Sequence, residues 1–403
     1  MISFSDARKQ VMEQVKPITD IEQVAVADAL GRVLAAPAKA LIDVPNHDNS
    51  AMDGYGVRFK DLSLDQPVGL EVIADLPAGD RLTKPLGGGE AVRIMTGAPI
   101  PDGCDCIVIQ EVVTWEAGGQ LMVPPGQKKA QHIRRAGEDI AKGEKVLPAG
   151  RRLGPADLGL LTSLGLVEVA CYRKPRVALL STGNEVVEAG TPLKPGQVYD
   201  SNRSSLRGAL QSLGVDIIDL GLVQDDRKAI TDILARGGEE ADAVISTGGV
   251  SVGDYDLIKE VLINQGQIHF WKVSMKPGKP QAYGRLGKAL FFGLPGNPVS
   301  GLVVFLLMVR PALIEMMGAT PEPERILRLP FKGSHRKKHG RMDFVRGVVH
   351  FDGRKAPWVE TTGPQGSGIL TSMSKANAFI VLPEGPVKLK DGDEVSVLMI
   401  DYG

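Results

Sequence analysis

From Arg176 onward, short apolar runs alternate with amphipathic stretches, and this alternation constrains the fold more than any other feature of the chain. The apolar run at residues 177–180 precedes a predicted helix over 203–213, and the run at 215–220 precedes one over 227–235. Such alternation is typical of βαβ crossovers, which produce a mostly parallel sheet covered by helices. The sequence therefore predicts a central doubly wound parallel α/β domain over residues 176–319, closed by a long helix at 298–317.

The segments on either side of this α/β domain have a different character. Residues 45–143 are dense in glycine and proline and contain short alternating runs, which predicts an inserted β domain. It interrupts a discontinuous, mainly helical domain made of residues 1–44 and 144–175, in which a helix is expected at 28–34. Residues 320–403 contain short strands and glycine turns, which predicts a C-terminal β-barrel. A multidomain α/β plus β fold agrees with a length of 403 residues.

Charge and composition exclude several classes of protein. The chain has 47 basic and 48 acidic residues, so no overall field favours nucleic acid or anionic membranes. Its 3 cysteines do not supply the ligands of a structural zinc site. The most apolar run, residues 301–309, ends at Arg310 and is far shorter than the ~20 residues that span a bilayer. No secretory signal is visible, and we expect a cytoplasmic protein.

Glycine-bearing motifs follow the predicted strands of the α/β domain. Because the carboxyl ends of neighbouring parallel strands meet at one edge of a sheet, we expect these loops to converge there. Their unshielded N–H groups, close to helix starts, favour a nucleotide or pyrophosphate, although each glycine turn alone is as readily structural. Neither GxGxxG nor GxxxxGK[ST] occurs. The motifs are Ser181-Thr-Gly-Asn-Glu185, Asp200-Ser-Asn202, Thr247-Gly-Gly-Val-Ser251 and Leu294-Pro-Gly-Asn-Pro-Val-Ser300.

Charged residues accompany these loops. Glu185, Asp225 and Asp256 would repel a phosphate unless a hard cation lay between them, so they suggest Mg²⁺. Asp226, just before a predicted helix, is equally suited to be a helix cap. Lys276-Pro-Gly-Lys279 places two ammonium groups on one turn, which suits an oxyanion such as phosphate or molybdate but is also compatible with a simple exposed turn.

Seven motifs occur in order along almost the whole chain. They begin at Asn49, Arg93, Gly137, Ser181, Thr247, Met275 and Gly293. Together they resemble the MoeA family, the molybdopterin molybdenumtransferases, which is similar to the E domain of gephyrin. The resemblance implies that adenylylated molybdopterin and molybdate react, with Mg²⁺, to give molybdenum cofactor and AMP. It also implies a homodimer whose site joins the α/β domain of one subunit to the inserted β domain of the other.

The resemblance assigns residues to three overlapping groups. Those expected at the reaction centre are Asp53, Thr96, Asp139, Glu185, Asp225, Asp256, Lys276 and Lys279, of which Glu185, Asp225 and Asp256 would hold the metal. Without the resemblance, Asp53 and Thr96 would be assigned to structural turns. Substrate-binding residues would be Thr182, Gly183, Asp200, Ser201, Asn202, Gly248, Gly249, Ser251, Pro295, Gly296, Asn297, Pro298, Ser300, Arg341 and Ser367, with molybdate near Lys279, Ser300, Arg341 and Ser367.

Two other functions are compatible with parts of the sequence. A molybdopterin adenylyltransferase is similar to the α/β domain alone, but its loop usually continues Thr-Gly-Gly-Thr-Gly, whereas this chain has Thr247-Gly-Gly-Val-Ser251. A non-catalytic, gephyrin-like scaffold is the second alternative, and the intact acids and lysines argue against it. The expected partners are transient ones, an adenylyltransferase and molybdoenzyme-maturation proteins.

Overall fold

The computed structural model describes residues 1–248, 261–262, 266–353 and 356–402. At its centre is a six-stranded sheet, called here the central sheet, in which the first four strands pair in parallel and the last two are added by antiparallel pairing. The antiparallel extension arises because residues 287–288 form a tight hairpin turn with Gly287 at φ +57°. In spatial order the strands are Asp216–Val223, Arg176–Thr182, Ala243–Thr247, Ala289–Leu294, Pro280–Leu286 and Gly266–Lys272.

Both faces of the central sheet are covered. Alternate residues of strand Arg176–Thr182 enter two separate cores, Val177 and Leu179 on one side and Ala178 and Leu180 on the other. Helix Ser201–Leu213 packs on the first face and helix Arg227–Glu240 on the second. The doubly wound α/β architecture predicted from the sequence is confirmed.

The predicted closing helix is also confirmed. It runs as Pro298–Val304, passes through a π-helical turn at Phe305–Val309 and continues as Arg310–Met316. Over 19 residues its mean hydropathy of 1.9 would allow a membrane crossing by length and composition, but 78% of that window is buried inside the protein. Arg310 ends the apolar run, as the sequence indicated; its Nη2 donates to Asp401 Oδ2 at 2.8 Å while the helix continues to Met316.

The first 44 residues and residues 144–175 are joined by strand pairing, which agrees with a discontinuous domain; the division into domains stays a prediction. Ile21–Ala25 pairs with Glu168–Tyr172, and Ala38–Lys39 pairs with Lys145–Leu147. The helices of these segments are Phe4–Met12, which buries Ala7 and Val11 in the core of the central sheet, and Pro155–Ser163.

The helix expected at residues 28–34 was wrong. The chain forms a single 3₁₀ turn at Val26–Asp28, and Gly31 then adopts φ +73°, which is incompatible with continued helix. Val33 and Leu34 instead form bridges with Arg152 and Cys171. Pairing with distant segments therefore overrode the local helical pattern.

The inserted β segment forms its own six-stranded sheet with separate cores around Val57 and Ile94. Asn49–Ser50 and Ile133–Arg134 pair beside it, and 3₁₀ turns lie at Phe59–Asp61 and Gln110–Val112. The strands of the sheet, in spatial order, are Cys106–Ile109, Gly54–Val57, Glu90–Ile94, Val68–Leu76, Leu121–Val123 and Thr114–Trp115.

The C-terminal segment forms the predicted barrel. Phe331, which follows strand Ile326–Pro330, bridges Val359 and so closes the sheet on itself. Short strands His335–Lys337 and Val387–Leu389 pair outside it, and Leu370–Lys375 is helical. The barrel strands are Trp358–Thr361, Met342–His350, Ala378–Leu382, Glu394–Met399 and Ile326–Pro330.

One strand crosses the predicted domain boundary at residue 319. Met275–Lys276 precedes this boundary in sequence, but it pairs with Met342 and Asp343 of the barrel. The boundaries themselves stay predictions, and the lysine turn lies where the central sheet and the barrel meet.

Candidate functional site

Three parallel strands of the central sheet end side by side. Ser181 lies opposite Thr247, and Thr247 lies opposite Leu294. The loops that follow these residues therefore emerge together at the carboxyl edge, as the sequence predicted. This edge is called here the crevice.

The backbones of these loops approach one another closely at Gly248. Its φ is +92°, and a Cβ atom there would lie 2.4 Å from the Thr182 carbonyl oxygen. The Gly248 N–H donates to Leu294 O at 3.3 Å, and a Cβ on Gly296 would lie 3.7 Å from the Gly248 Cα. Only glycine fits at position 248 without displacing its neighbours.

Asn202 links two of the loops. Its Nδ2 donates to Thr247 Oγ1 at 2.7 Å and to Gly296 O at 2.8 Å. Asp200 caps the helix that begins at Ser201, because its Oδ1 accepts from Arg203 N at 3.0 Å and from Ser181 Oγ at 3.1 Å. The predicted residues Asp200 and Asn202 thus shape the crevice.

Buried polar atoms remain at this edge that have no hydrogen-bond partner among the residues that the structure describes. They are Thr182 Oγ1, Asn202 Oδ1 and Ser246 Oγ. Native proteins leave few such atoms unsatisfied, and those that remain unpaired commonly lie where a ligand or water binds. The three atoms fit a crevice that binds a polar ligand.

Two of the three predicted metal-binding acids lie on adjacent loops. Glu185 and Asp225 are exposed, and the Asp225 N–H donates to Asn184 Oδ1 at 3.1 Å. Exposed carboxylates on neighbouring loops are the hard oxygen donors that Mg²⁺ prefers, so these residues fit that ion. Among the described residues, no group of three or more His, Cys, Asp or Glu could hold a metal by itself.

The remaining predictions near these acids have three outcomes. Asp226 accepts from Ala229 N at 2.8 Å and is the N-cap of helix Arg227–Glu240, one of the two roles that the sequence left open for it. Gly249, Ser251 and Asp256 lie outside the described residues. Gly183 has φ +136°, and a Cβ there would lie 2.8 Å from Glu185 Oε2, so it leaves room for that carboxylate.

The lysine turn packs between the closing helix and the barrel. Gly278 has φ +97°, and a Cβ there would lie 2.4 Å from Val304 Cγ2 of the closing helix. Lys279 is exposed, and the Lys276 side chain is 41% exposed. Both ammonium groups are therefore available to an anion.

The structure brings three further predicted residues to this junction. Val299 N, at the start of the closing helix, donates to Ser367 O at 3.2 Å. Ser300 is buried in the first turn of that helix, which begins at Pro298 after the N-cap Asn297. Arg341 Nη1 donates to Met275 O at 3.3 Å, beside Lys276. Pro295 is buried beneath these loops.

Sequence reasoning missed Arg346, which orders the loop carrying Ser367. Arg346 is 1% exposed; its Nε donates to Ser372 Oγ at 3.1 Å and its Nη2 to Gly366 O at 3.1 Å. Burial lowers the pKa of this guanidinium to about 10. A charged residue in the apolar run Phe344-Val-Arg-Gly-Val-Val349 is the signal that could have identified it.

Asp53 and Thr96 meet on the inserted β segment. Asp53 Oδ1 accepts from the Thr96 N–H and from Thr96 Oγ1, both at 2.7 Å. The backbone hydrogen bond and then the hydroxyl hydrogen bond lower the pKa of Asp53, against a small opposing effect of burial. Both residues are exposed, so an ionised carboxylate faces solvent.

Asp139 lies on a neighbouring loop. Asp48 accepts from Ala136 N at 2.8 Å and pairs with Arg135, and Ala51 N donates to His132 O at 2.8 Å. These bonds tie the Asp139 loop to the one that carries Asp53. Within the described ranges, no hydrogen bond or ion pair joins Asp53, Thr96 or Asp139 to the crevice.

Three family models match the chain in order. Residues 2–165 match the MoeA N-terminal region (domain I and II), residues 178–315 match a probable molybdopterin binding domain, and residues 328–400 match the MoeA C-terminal region (domain IV). Together they extend over nearly the whole sequence.

Full-length relatives agree with these matches. The chain is 41% identical over 402 residues to the molybdopterin molybdenumtransferase of Haemophilus influenzae, covering 98% of both chains. It is 36% identical over 391 residues to that of a Nostoc species, covering 94% of this chain and 89% of the relative. A crystal structure of the molybdopterin biosynthesis moeA protein from Pyrococcus horikoshii superposes with a TM-score of 0.85 at 29% identity, covering 99% and 100% of the two chains.

Proposed function

The chain belongs to the MoeA family of molybdopterin molybdenumtransferases, enzymes of molybdenum cofactor biosynthesis, and from this premise we propose how its residues act. It inserts molybdenum into molybdopterin. We propose that the substrates are adenylylated molybdopterin and molybdate, that AMP is released, and that Mg²⁺ is required. The crevice supports this proposal, because it combines anion-binding loops, exposed acids and a lysine turn.

The nucleotide end of the substrate would bind along the glycine loops. Thr182 Oγ1 and Asn202 Oδ1 are buried there and have no partner within the described part of the chain, so they can bond to the ligand. Gly248 lets the three loops approach within contact distance, so a phosphate bound there could contact all three. The other residues assigned to this end are Gly183, Asp200, Ser201, Gly249, Ser251, Pro295, Gly296, Asn297 and Pro298.

The acids would hold Mg²⁺. Glu185, Asp225 and Asp256 would ligate the ion through their carboxylates, and its charge would offset that of the phosphate oxygens when bound. Glu185 and Asp225 lie on adjacent loops joined through Asn184, so they can face one ligand together.

Molybdate would bind at the junction of the lysine turn with the barrel. Lys276 and Lys279 supply positive charge, and Ser300, Arg341 and Ser367 supply hydrogen-bond donors around it. The dithiolene sulfurs of the substrate would bond to molybdenum as their thiol protons are released, and each displaced oxo ligand would take up two protons and leave as water. Another water would hydrolyse the pyrophosphate bond to AMP. Preorganised charge, rather than a protein nucleophile, then supplies most of the rate enhancement.

Asp53, Thr96 and Asp139 would reach the crevice from a second subunit. They are exposed, and within one chain no described hydrogen bond or ion pair ties them to the crevice. A homodimer with a shared site accounts for both observations. We further infer that the protein works in the cytoplasm and makes transient contacts with an adenylyltransferase and with molybdoenzyme-maturation proteins.

Release of AMP tests this reaction. Purified protein is incubated with adenylylated molybdopterin, Mg²⁺ and molybdate, and AMP is followed over time. We expect release that requires both Mg²⁺ and molybdate, and an Asp225→Asn variant slower by on the order of 100-fold. Asp226→Asn is the matched control, because Asp226 is the adjacent acid but caps a helix, a role that asparagine also fills.

The outcomes separate this function from the two alternatives. If the folded protein released no AMP with or without the metal, a non-catalytic scaffold would be favoured. If it instead formed adenylylated molybdopterin from ATP and molybdopterin, an adenylyltransferase would be favoured. Equal loss in Asp225→Asn and Asp226→Asn would contradict a specific metal-binding role for Asp225.

A further inference from the structure

A buried carboxylate lies behind Lys276. Asp343 pairs with Lys276 across the two strands that join the central sheet to the barrel, and it is 4% exposed. Its Oδ2 lies 3.9 Å from Lys276 Nζ and 3.2 Å from His339 Nε2. One acid therefore contacts two groups that can carry positive charge.

Several other charged groups surround this acid. Lys337 is 3% exposed and donates to Pro383 O, and Glu384 acts on it electrostatically. Burial lowers the pKa values of His335, Lys337 and His339, and Asp343 opposes that effect at all three. Arg341 also faces His339.

A buried carboxylate costs free energy unless cations and donors compensate it. Here Lys276 is one of the compensating groups, and yet its side chain is 41% exposed. An ammonium group has three N–H donors, so one can face Asp343 while the others remain available to a ligand. The arrangement fixes the direction of a lysine that would otherwise sample many rotamers.

We propose that Asp343 is a positioning residue, which holds Lys276 Nζ in place for a tetrahedral oxyanion, either molybdate or the phosphate of the nucleotide substrate. This inference rests on the proposed function. Asp343 touches no substrate, and its effect passes through Lys276. Removing its charge leaves the lysine in the site with its orientation lost.

A double-mutant cycle tests the proposal. Asp343→Asn, Lys276→Met and the double variant are compared with the unaltered protein in AMP release, with molybdate and adenylylated molybdopterin varied in turn. We expect Asp343→Asn to raise the KM for one of the two substrates about tenfold, the loss of one charge-assisted contact, with kcat changed less. In the Lys276→Met background, Asp343→Asn should have no further effect on that KM.

Direct binding separates the possible failures. Calorimetric titration with sodium molybdate and with AMP identifies which oxyanion loses affinity in Asp343→Asn. If the unaltered protein releases AMP and the variant keeps both KM values, or if the two substitutions have additive effects, the positioning role is overturned. If the unaltered protein releases no AMP, the proposed function itself fails, and weaker titrated binding in Asp343→Asn still supports the role of Asp343.

A second acid–histidine pair on the barrel provides the control for effects on folding. Glu360 Oε1 lies 3.0 Å from His350 Nε2, so Glu360→Gln removes the acidic partner of a histidine at a more exposed position of the same barrel. Both variants are compared by their thermal midpoints. Glu360→Gln should keep both KM values, and Asp343→Glu, which keeps the charge, should recover part of the affinity that Asp343→Asn loses.

Discussion

Gly248 shows how one residue determines the shape of the crevice. Its left-handed φ and the short approach to the Thr182 carbonyl are separate reasons for glycine. Gly190 has the same φ of +92°, but nothing lies within 4 Å of a Cβ added there. The two positions therefore isolate the effect of crowding from that of backbone conformation.

We expect Gly248→Ala to destabilise the protein by about 1–3 kcal/mol more than Gly190→Ala, because the added methyl group overlaps backbone atoms. Urea unfolding of both variants measures the difference. Gly248→Ala should also slow AMP release, whereas Gly190→Ala should retain it. Equal destabilisation would show that the loops at Thr182 and Gly248 separate easily.

Asp53 and Thr96 are a surface pair with a chemical rather than a structural role in our proposal. Asp53→Ala should lower AMP release by on the order of 100-fold with little change in the thermal midpoint, because both side chains are exposed. The assay and a thermal unfolding curve check this. A large loss of stability with activity retained would assign the pair to turn structure instead.

Asp242 is a residue whose ionisation contributes to stability. Its carboxylate accepts from Arg173 Nη1 at 2.8 Å and from Arg176 N at 2.7 Å. Burial alone would raise its pKa, but these hydrogen bonds outweigh burial and lower the pKa below 3.8. Since the folded pKa is lower than the unfolded one, this stabilisation is present above the unfolded pKa and is lost as the pH falls through the folded one.

Asp242→Asn should therefore lower the free energy of unfolding by about 1–3 kcal/mol at neutral pH. The difference in free energy of unfolding between the variant and the unaltered protein should stay constant down to roughly pH 4 and become smaller below it. Urea unfolding at a series of pH values measures this difference. If the difference already decreased between pH 7 and pH 5, a lowered pKa of Asp242 would be contradicted.

At the scale of elements, the lysine turn is positioned by the closing helix. Gly278 rests against Val304, so the turn and the helix share a contact that admits no added methyl group. Gly278→Ala should weaken molybdate binding and lower the thermal midpoint. Adding Val304→Ala should restore part of the binding, because it removes the Cγ2 atom that the new methyl group would meet, although the φ of +97° remains unfavourable. If the loss of molybdate binding in the double variant equalled the sum of the losses in the two single variants, this contact would be contradicted.

Elements differ in how far the sequence could predict them. The strand ends at Thr182, Thr247 and Leu294 were predictable, because parallel strands deliver their following loops to one edge. The cap formed by Asp226 was equally local. The helix expected at residues 28–34 failed because Val33 and Leu34 pair with residues far along the chain. Arg346 and Asp343 escaped prediction for the same reason, since their importance lies in contacts across the barrel.

At the scale of the whole molecule, the inserted β segment carries its candidate residues on loops of its own, with cores separate from that of the central sheet. The proposed shared site makes a distinctive prediction for mixed dimers. If Asp53→Ala and Lys279→Ala chains are produced together, each mixed dimer has one site that carries both substitutions and one that carries neither.

Such a mixture should regain about a quarter of the activity of the unaltered protein, because half of the dimers are mixed and half of their sites are intact. The control is a mixture of Asp53→Ala and Thr96→Ala chains. It should stay inactive, since both substitutions lie on the same surface and each site of a mixed dimer therefore carries one of them. AMP release from the whole mixture, purified without selection for mixed dimers, measures both. If the Asp53→Ala and Lys279→Ala mixture stayed inactive, each site would be built within one chain.

The strand Met275–Lys276, paired with Met342 and Asp343, also limits how relatives can be recombined. A chimaera that joins the α/β segment of one parent to the barrel of another breaks this ladder unless residues 274–280 and 341–343 are inherited together. Crossover points that separate them should give folded but poorly active hybrids, whereas crossovers within the inserted β segment should be better tolerated. The proposed oxyanion site would therefore have to be inherited as a pair of strands that are distant in sequence, and not as a single domain.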